Sequence, residues 1–306
     1  MTDSLPNRPN TEQSHPKAAG FDQLPGREIL SVLLESQISA IEAVRTAIPA
    51  LEKGAAAMEA ALRNGGNLVY AAAGSSGMQA LADGLEIPPT FGIPAARIHI
   101  LRAGGFDNMT VPKEGAEDDA EAAARDAEVI GKDDCVICLA ASGNTVYPVT
   151  IMDIAKARGA ATIGMSNNPD TKLLAGADIP VLLPTPPEVI AGSTRLGAGT
   201  AQKVALNLMS TLLGVRMGHV MDGLMVNVAT SNVKLRARAE KIVRDITGCD
   251  SATARGSLEA ADWGVKEAIL IASGAQDLAQ ATSYLNAADQ NLRSALADLN
   301  SGKAPN

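Results

Sequence analysis

Short apolar runs alternate with longer amphipathic stretches through the middle of the chain. A short apolar run bounded by turn residues is typical of a buried strand, and apolar positions three and four apart indicate a helix that faces a core. The predicted strands are 67–73, 97–101, 134–140, 161–165 and 179–183. The predicted helices lie near 77–85, 119–130, 146–158, 171–176 and 195–217. This alternation predicts an α/β fold, a doubly wound parallel sheet that is covered on both faces.

The pattern changes towards both ends of the chain. Residues 1–25 are polar and rich in Pro, Asn and Ser, which predicts an arm or a tail that orders on a partner. Apolar positions from Ile29 to Leu51 have helical spacing, and Pro49 is expected to start a second helix. Beyond residue 230 the strand pattern is absent and glycines interrupt a helical pattern. The predicted parts are a polar arm 1–25, an α/β domain 26–230 and a helical domain 231–306.

Composition narrows the classes of function. The chain has 306 residues, of which 46% are hydrophobic, enough for a sizeable core. Aromatic residues make up only 2%, which disfavours single-stranded nucleic-acid binding because that uses stacking platforms. A net charge of −8 disfavours nucleic acid and anionic membrane surfaces as partners. An anionic substrate must therefore be held by local groups and not by the overall field.

Three cysteines are too few for a disulfide framework. Cys135 and Cys138 form a CxxC inside an apolar run, with no second pair beside them, so a structural role is favoured over a redox or metal role. The histidines are scattered at His15, His99 and His219. No apolar segment precedes a cleavage site at the N-terminus, and the apolar stretch 204–215 is too short to span a bilayer. We expect a cytoplasmic protein that needs neither a metal nor an organic cofactor.

Two glycine-serine turns follow apolar strands and precede helices. The first contains Gly74, Ser75 and Ser76, and the second runs from Ser142 through Gly143 and Asn144 to Thr145. Backbone N–H groups, hydroxyls and a helix dipole at such a turn can hold one anion. Two of these turns in one domain, with a third polar segment at 191–195, predict that a phosphorylated small molecule binds between them. An ordinary strand-to-helix connection, with Gly for its backbone and Ser as an N-cap, is the alternative.

Carboxylates between the first two turns are candidate acids and bases. Glu86 lies between apolar residues and the rigid Pro88-Pro89 pair, where a carboxylate has little structural reason to be. Glu114 and Glu117 belong to an acidic cluster, which by composition alone is more typical of a solvated helix start.

Several segments resemble the N-acetylmuramic acid 6-phosphate etherase family. They are 87–92 (IPPTFG), 114–118 (EGAED), 188–195 (EVIAGSTR), 198–203 (AGTAQK) and 247–249 (TGC). The resemblance runs from about residue 20 to 290, and the chain is identified as a divergent member. This family belongs to the sugar isomerase (SIS) superfamily of phosphosugar-binding domains, to which the regulatory protein of glucokinase is related. The resemblance implies a flavodoxin-like fold of three layers.

The resemblance also implies a cofactor-free lyase and a homodimer. Such an enzyme cleaves the D-lactyl ether of N-acetylmuramic acid 6-phosphate in cell-wall amino-sugar recycling, by elimination and then hydration. Glu86 takes the role of the acid that protonates the leaving lactate, kept protonated by its apolar flanks, and Glu117 takes the role of the C2 base. The implied substrate-binding residues are Gly74, Ser75, Ser76, Ser142, Gly143, Asn144, Thr145, Ser193, Thr194, Arg195 and Lys203.

Three residues depart from the family pattern at the expected site. Met78, Asn144 and Gly197 stand where the family carries cations. The etherase substrate has two anionic groups, and the loss of one charged hydrogen bond costs roughly 1.5–3 kcal/mol. Arg195 and Lys203 remain and are expected to serve one anion each. The sequence therefore predicts weaker binding of the usual substrate and leaves open a related sugar.

Two other readings stay open at this point. One is a phosphosugar isomerase, epimerase or paralogous lyase, which uses the same C2 deprotonation on a different substrate. The other is a non-catalytic sugar-phosphate sensor, which the retention of both Glu86 and Glu117 disfavours.

Overall fold

The computed structural model describes residues 9–107, 111 and 113–305. The chain divides into two compact units. The sheet unit comprises Met1–Gly84 and Ala96–Ser210, and the helical unit comprises Leu85–Ala95 and Thr211–Asn306. The domain bounds 26–230 and 231–306, which divide the chain where the strand pattern ends, stay a prediction. No helix among the described residues combines the length and apolar character that crossing a bilayer requires.

A five-stranded parallel sheet forms the centre of the sheet unit, with strand order β2-β1-β3-β4-β5. Its strands are β1 (Leu68–Ala72), β2 (Ile98–Arg102), β3 (Cys135–Ala140), β4 (Ala161–Ser166) and β5 (Ile179–Leu182). β1 and β3 are buried along their whole length, because the central strands of a parallel sheet are covered on both faces. The α/β fold class is confirmed, and all five strands were predicted to within one residue at each end.

Helices cover both faces of this sheet. Those that begin in the sheet unit are α1 (Gly26–Ala43), α2 (Ile48–Arg63), α3 (Gly74–Phe91), α4 (Ala120–Asp126), α5 (Val146–Ala157), α6 (Lys172–Gly176) and α7 (Gly197–Arg216). Val69 and Val136 share a core cluster with residues of α4 and α5. On the opposite face, a side chain at Gly54 of α2 would collide with Met209 of α7 and approach Ile163 of β4.

Helix α3 is longer than the sequence pattern predicts. The prediction ends the helix near residue 85 because prolines lack the backbone N–H that continues it. The helix instead runs through Pro88 and Pro89 to Phe91. Ile87 and Phe91 are both buried, so side-chain packing holds this segment in the helical conformation where the backbone loses two donors.

The helical unit contains a short antiparallel hairpin and five helices of the carboxyl-terminal region. The hairpin pairs β6 (Val220–Met221) with β7 (Leu224–Met225), and the helices are α8 (Val233–Thr247), α9 (Ser251–Ala260), α10 (Val265–Ala272), α11 (Leu278–Ala287) and α12 (Leu292–Asn300). Asn232, Asp250, Asp277 and Asn291 each accept a first-turn N–H of the helix that follows, which is the usual way to begin a helix. Gly248 ends α8 at φ +73°.

Candidate active site

The two glycine-serine turns lie side by side at the carboxyl edge of the sheet. β1 and β3 are parallel neighbours, with Ala72 opposite Leu139, so their following turns leave the sheet at the same edge. The first turn opens α3 at Gly74 and the second precedes α5, which begins at Val146. The first N–H groups of both helices have no intrahelical partner and point towards this edge.

A cavity of about 300 Å³ lies between these turns, and we call it the hydroxyl cavity. Its lining includes the hydroxyl residues Thr11, Ser75, Ser76, Ser142, Thr145 and Thr194. Ser75 Oγ lies 3.3 Å from Thr194 Oγ1, and Ser142 Oγ lies 3.1 Å from Thr145 Oγ1. The charged residues in this lining are both acidic, Glu12 and Glu117. An anion in this cavity would therefore be held by neutral N–H and O–H donors and by two helix dipoles.

A second cavity of about 470 Å³ shares Gly74, Ser75 and Glu117 with the first. It also contains Arg102 and Lys113, and we call it the cation cavity. Its further lining residues are Met78, Ala103, Glu114, Gly115 and Ala116. The shared residues make the two cavities neighbours, one lined by hydroxyls and the other containing both cations and carboxylates.

Glu117 is the carboxylate common to both cavities. It lies in a one-turn 3-10 helix, Ala116–Asp118, which follows Gly115 at φ +69°. Glycine adopts that left-handed backbone conformation without a Cβ penalty, and the turn directs the chain past the first glycine-serine turn. Glu117 is exposed, as a base that must reach a substrate would be. Glu114 lines the cation cavity.

Glu86 lies outside both cavities. It is on α3, in the part of that helix that belongs to the helical unit. The apolar residues beside Glu86 in the sequence do not cover it, because Glu86 is exposed while Ile87 takes the buried position on the helix. Helical periodicity separates neighbours in sequence onto different faces, so flanking apolar residues do not bury the residue between them.

The third polar segment contributes some of its predicted residues and not others. Gly192 and Thr194 line the hydroxyl cavity, whereas Ser193 and the exposed Arg195 line neither cavity. Lys203 is exposed on α7 and also lies outside both. Arg195 and Lys203, which were each expected to bind one anion of the substrate, therefore line neither of these cavities.

The three positions that depart from the family pattern have different surroundings. Met78 is half-exposed in the cation cavity. Asn144 is exposed in the second turn, where its Oδ1 accepts the N–H of Lys172 at 3.0 Å. Gly197 is buried, and a Cβ there would lie 3.1 Å from Glu188 Oε2. Of the three, Met78 is the one that lines either cavity.

Residues of the N-terminal arm also line the hydroxyl cavity. Thr11 is buried against the sheet unit of its own chain, where its carbonyl accepts the N–H of Gly192 at 3.0 Å. Its Oγ1 accepts Asn168 Nδ2 at 3.2 Å. The arm thus supports the third polar segment. In the sequence, Thr11 and Glu12 are part of the polar segment 1–25, which was expected to order on a partner.

The CxxC pair has the surroundings of a structural pair. Cys135 and Cys138 are free and fully buried in β3. Burial raises the pKa of the Cys135 thiol to about 12 and that of the Cys138 thiol well above its ordinary value. Thiols held in the protonated form are poor nucleophiles and poor metal ligands.

The middle of the chain matches the SIS domain family. Residues 106–212 match the family model of the SIS domain. The fold resembles that of a Bacteroides fragilis protein described as a phosphosugar isomerase involved in capsule formation, with a TM-score of 0.52 and 20% identity. That match covers 65% of this chain and 95% of the other.

Relatives with closer sequences match almost the whole chain. The N-acetylmuramic acid 6-phosphate etherase of Deinococcus radiodurans is 44% identical over 92% of this chain and 92% of its own. The etherase of Streptomyces avermitilis is 41% identical over 94% and 93%, and that of Geobacillus thermodenitrificans is 41% identical over 94% and 98%. The chain belongs to the N-acetylmuramic acid 6-phosphate etherase family.

Proposed function

We propose that this protein is a lyase that cleaves the D-lactyl ether of N-acetylmuramic acid 6-phosphate, giving N-acetylglucosamine 6-phosphate and D-lactate. The observation that carries the proposal is the position of Glu117, which lines both the hydroxyl cavity and the cation cavity. A substrate with an anion at each end and an acidic C–H between them matches that arrangement.

The phosphate belongs in the hydroxyl cavity. Two helix N-termini meet there, and the hydroxyl pairs Ser75–Thr194 and Ser142–Thr145 already lie within hydrogen-bond distance of each other. Donors held in place before the ligand arrives lose little conformational freedom on binding. Gly143 supports the same turn at φ +68°, a backbone conformation that an L side chain adopts only with strain.

Glu117 acts as the base in the first step. In the open-chain sugar the aldehyde acidifies the proton on C2, and the carboxylate accepts that proton. The C2–H electrons form a double bond between C2 and C3, and the C3–O bond breaks so that lactate leaves. Water then adds across the double bond, with hydroxyl on C3 and a proton on C2. The sum is the substrate plus water giving the two products, with no oxidant or reductant.

Glu86 is the proposed donor of the proton that lactate takes as it leaves. This assignment rests on the family motif at 87–92, since Glu86 lies outside the two cavities. It predicts that changing each carboxylate to the isosteric amide impairs a different step of the reaction.

The first experiment measures exchange of the C2 proton with deuterated solvent and D-lactate release in the same samples. Glu117→Gln is expected to lose both, because an amide cannot accept the proton. Glu86→Gln is expected to keep exchange and lose lactate, because deprotonation comes before departure of the leaving group. Asp118→Asn is the matched control, since Asp118 is exposed in the same turn as Glu117 and lines neither cavity.

Full turnover by Glu117→Gln would remove Glu117 from the role of base. C2 exchange or sugar interconversion by the wild type without any lactate would instead indicate the isomerase or epimerase alternative. Ligand binding with neither exchange nor lactate would indicate the sensor.

A homodimer is part of the proposal, and helix α1 supports it. Of the 18 residues of α1, only Ala40 is buried. Leu30, Leu34, Ile38 and Ile41 follow one another on one helix face and are 67%, 61%, 52% and 42% exposed. An apolar row of this length on a helix that its own chain barely covers is typical of a subunit interface. A second copy of the chain would cover it symmetrically.

Light scattering of the eluting protein tests the dimer. Leu34→Glu is expected to shift the mass from two chains to one, and Val129→Glu, at another exposed apolar position, is expected to leave it unchanged. A wild-type mass of one chain would contradict the dimer. Action in the cytoplasm, as part of cell-wall amino-sugar recycling, also belongs to the proposal, and cell fractionation tests it.

A further inference from the structure

Arg102 is a buried cation that the protein itself leaves largely unpartnered. The residue ends β2 and is 9% exposed, yet it lines the cation cavity. Its Nη1 donates to the carbonyl of Gly105 at 2.7 Å, while its buried Nε has no hydrogen-bond partner among the residues that the structure describes. No ion pair joins Arg102 to a carboxylate of the described residues, although Glu114 and Glu117 line the same cavity.

A guanidinium in this position is costly without an anion. Burial removes the charge from water, and an unmet N–H donor adds to the cost. Structural arginines meet that cost with a carboxylate or with several carbonyl oxygens. Arg102 donates to one carbonyl oxygen, so its guanidinium still lacks a negatively charged partner in the described part of the chain. A bound anion would supply that partner. Lys113, exposed in the same cavity, adds a second positive charge.

We propose that Arg102 binds the carboxylate of the substrate's lactyl group, an inference that rests on the proposed function. The hydroxyl cavity already supplies donors for the phosphate, and it contains no cation among its lining residues. Glu117 lies where the two cavities meet. A sugar with its phosphate among the hydroxyls and C2 at Glu117 extends its C3 substituent towards Arg102. Arginine suits a carboxylate because its planar fork donates two parallel hydrogen bonds.

Arg102 supplies a positive charge that the family pattern places at another position of the site. The family pattern expects arginine at position 78, where this chain has methionine, and Met78 lines the same cavity as Arg102. A Cβ at the adjacent Gly77 would lie 3.2 Å from Arg102 Cγ, so the arginine packs directly against the first turn. A guanidinium that reaches the cavity from β2 thus takes the place of one that would reach it from α3.

The test compares two ligands that differ in the lactyl group. Calorimetry in the Glu117→Gln background, which prevents turnover, measures the affinity for N-acetylmuramic acid 6-phosphate and for N-acetylglucosamine 6-phosphate. Adding Arg102→Gln is expected to weaken binding of the first at least tenfold and that of the second less than about twofold. An equal loss for both would assign Arg102 to the phosphate and overturn the proposal, as would no loss for either. Arg125→Gln, an exposed arginine on α4 outside both cavities, is the control.

Moving the guanidinium from position 102 to position 78 distinguishes a role of Arg102 in binding the substrate from a structural role through its bond to the Gly105 carbonyl. Met78→Arg added to Arg102→Gln is expected to recover affinity for N-acetylmuramic acid 6-phosphate, because it returns one guanidinium to the same cavity. Met78→Arg alone is expected to give no gain. A structural role predicts instead that Arg102→Gln lowers the melting temperature and that Met78→Arg recovers nothing. That result, or a gain from Met78→Arg alone, would overturn the proposal.

Failure of this inference is distinguishable from failure of the proposed function. If the wild type releases D-lactate but Arg102→Gln binds the sugar acid normally, the lyase stands and the role of Arg102 is wrong. If the wild type releases no D-lactate, the proposed function is wrong. The unconsumed sugar acid can then be titrated into the wild type and Arg102→Gln directly, and equal affinities would overturn the inference as well.

Discussion

Glu188 is a buried carboxylate whose removal has an effect that the structure allows us to estimate. It is 1% exposed, its Oε2 accepts the N–H of Gly197 at 2.9 Å, and its Oε1 accepts the N–H of Ala198 at 2.8 Å. These N–H groups begin α7, so the carboxylate caps that helix and meets its positive end. The capped loop carries Gly192 and Thr194 to the hydroxyl cavity.

Glu188→Ala should cost several kcal/mol in the free energy of unfolding. Each hydrogen bond to a charged group contributes roughly 1.5–3 kcal/mol, and relief from burying the carboxylate offsets part of the sum. We expect a net loss of about 2–4 kcal/mol, which corresponds to a melting temperature lower by roughly 5–15 °C at 2–4 °C per kcal/mol. Glu188→Gln keeps the shape and one acceptor oxygen, so its loss should be smaller.

Thermal unfolding followed by circular dichroism measures the loss, and KM for N-acetylmuramic acid 6-phosphate measures the effect on the loop. Both substitutions should raise KM, since the segment that carries Thr194 is no longer anchored. A Glu188→Ala melting temperature within about 1 °C of the wild type would refute the argument that this carboxylate holds α7 and the loop.

Three further predictions concern the turns, the cysteines and metals. Gly143→Ala should raise KM at least about tenfold, because φ is +68° and a Cβ would overlap Ser166 and Thr171; an unchanged KM would contradict this. The raised pKa of Cys135, to about 12, means that its contribution to stability is complete below about pH 9 and is lost as the pH rises to about 12, by about 1.4 kcal/mol per pH unit. Denaturant titrations at several pH values measure the free energy of unfolding, which should fall less steeply with pH for Cys135→Ala than for the wild type. Treatment with EDTA should leave activity unchanged, and a loss that a divalent ion restores would contradict the absence of a metal requirement.

The elements of the sheet were predictable because their physical cause is local. A buried parallel strand needs a continuous apolar run, and 68–72 and 135–140 are such runs, each followed by one alanine and then by glycine and serine. Adjacent parallel strands leave the sheet at one edge, so the proximity of the two turns followed from the fold class. Family motifs added Glu117, which no periodicity distinguishes from a solvated acid.

Whether a predicted residue lines one of the two cavities depends on contacts that sequence spacing does not encode. The environment of Glu86 was inferred from its neighbours in sequence, but a helix places those neighbours on other faces. The positions of Arg195 and Lys203 outside the cavities follow from how one loop and α7 are oriented on the sheet. Arg102 was missed because an arginine at a strand end is ordinary in sequence, and its burial is a tertiary property.

The arm shows the same limit. A polar segment rich in proline predicts little structure by itself, yet Thr11 is buried through bonds to Gly192 and Asn168, far away in sequence. The local sequence pattern does not predict these contacts of the arm, because both partners come from the opposite end of the sheet unit's sequence.

The most direct test of the central claim is the release of D-lactate from N-acetylmuramic acid 6-phosphate by the purified protein, followed with a stereospecific lactate dehydrogenase. We predict stoichiometric D-lactate and N-acetylglucosamine 6-phosphate from the wild type, and neither product from Glu117→Gln. Consumption of the sugar without D-lactate, or no consumption at all by a folded protein that binds it, would contradict the assignment as an etherase.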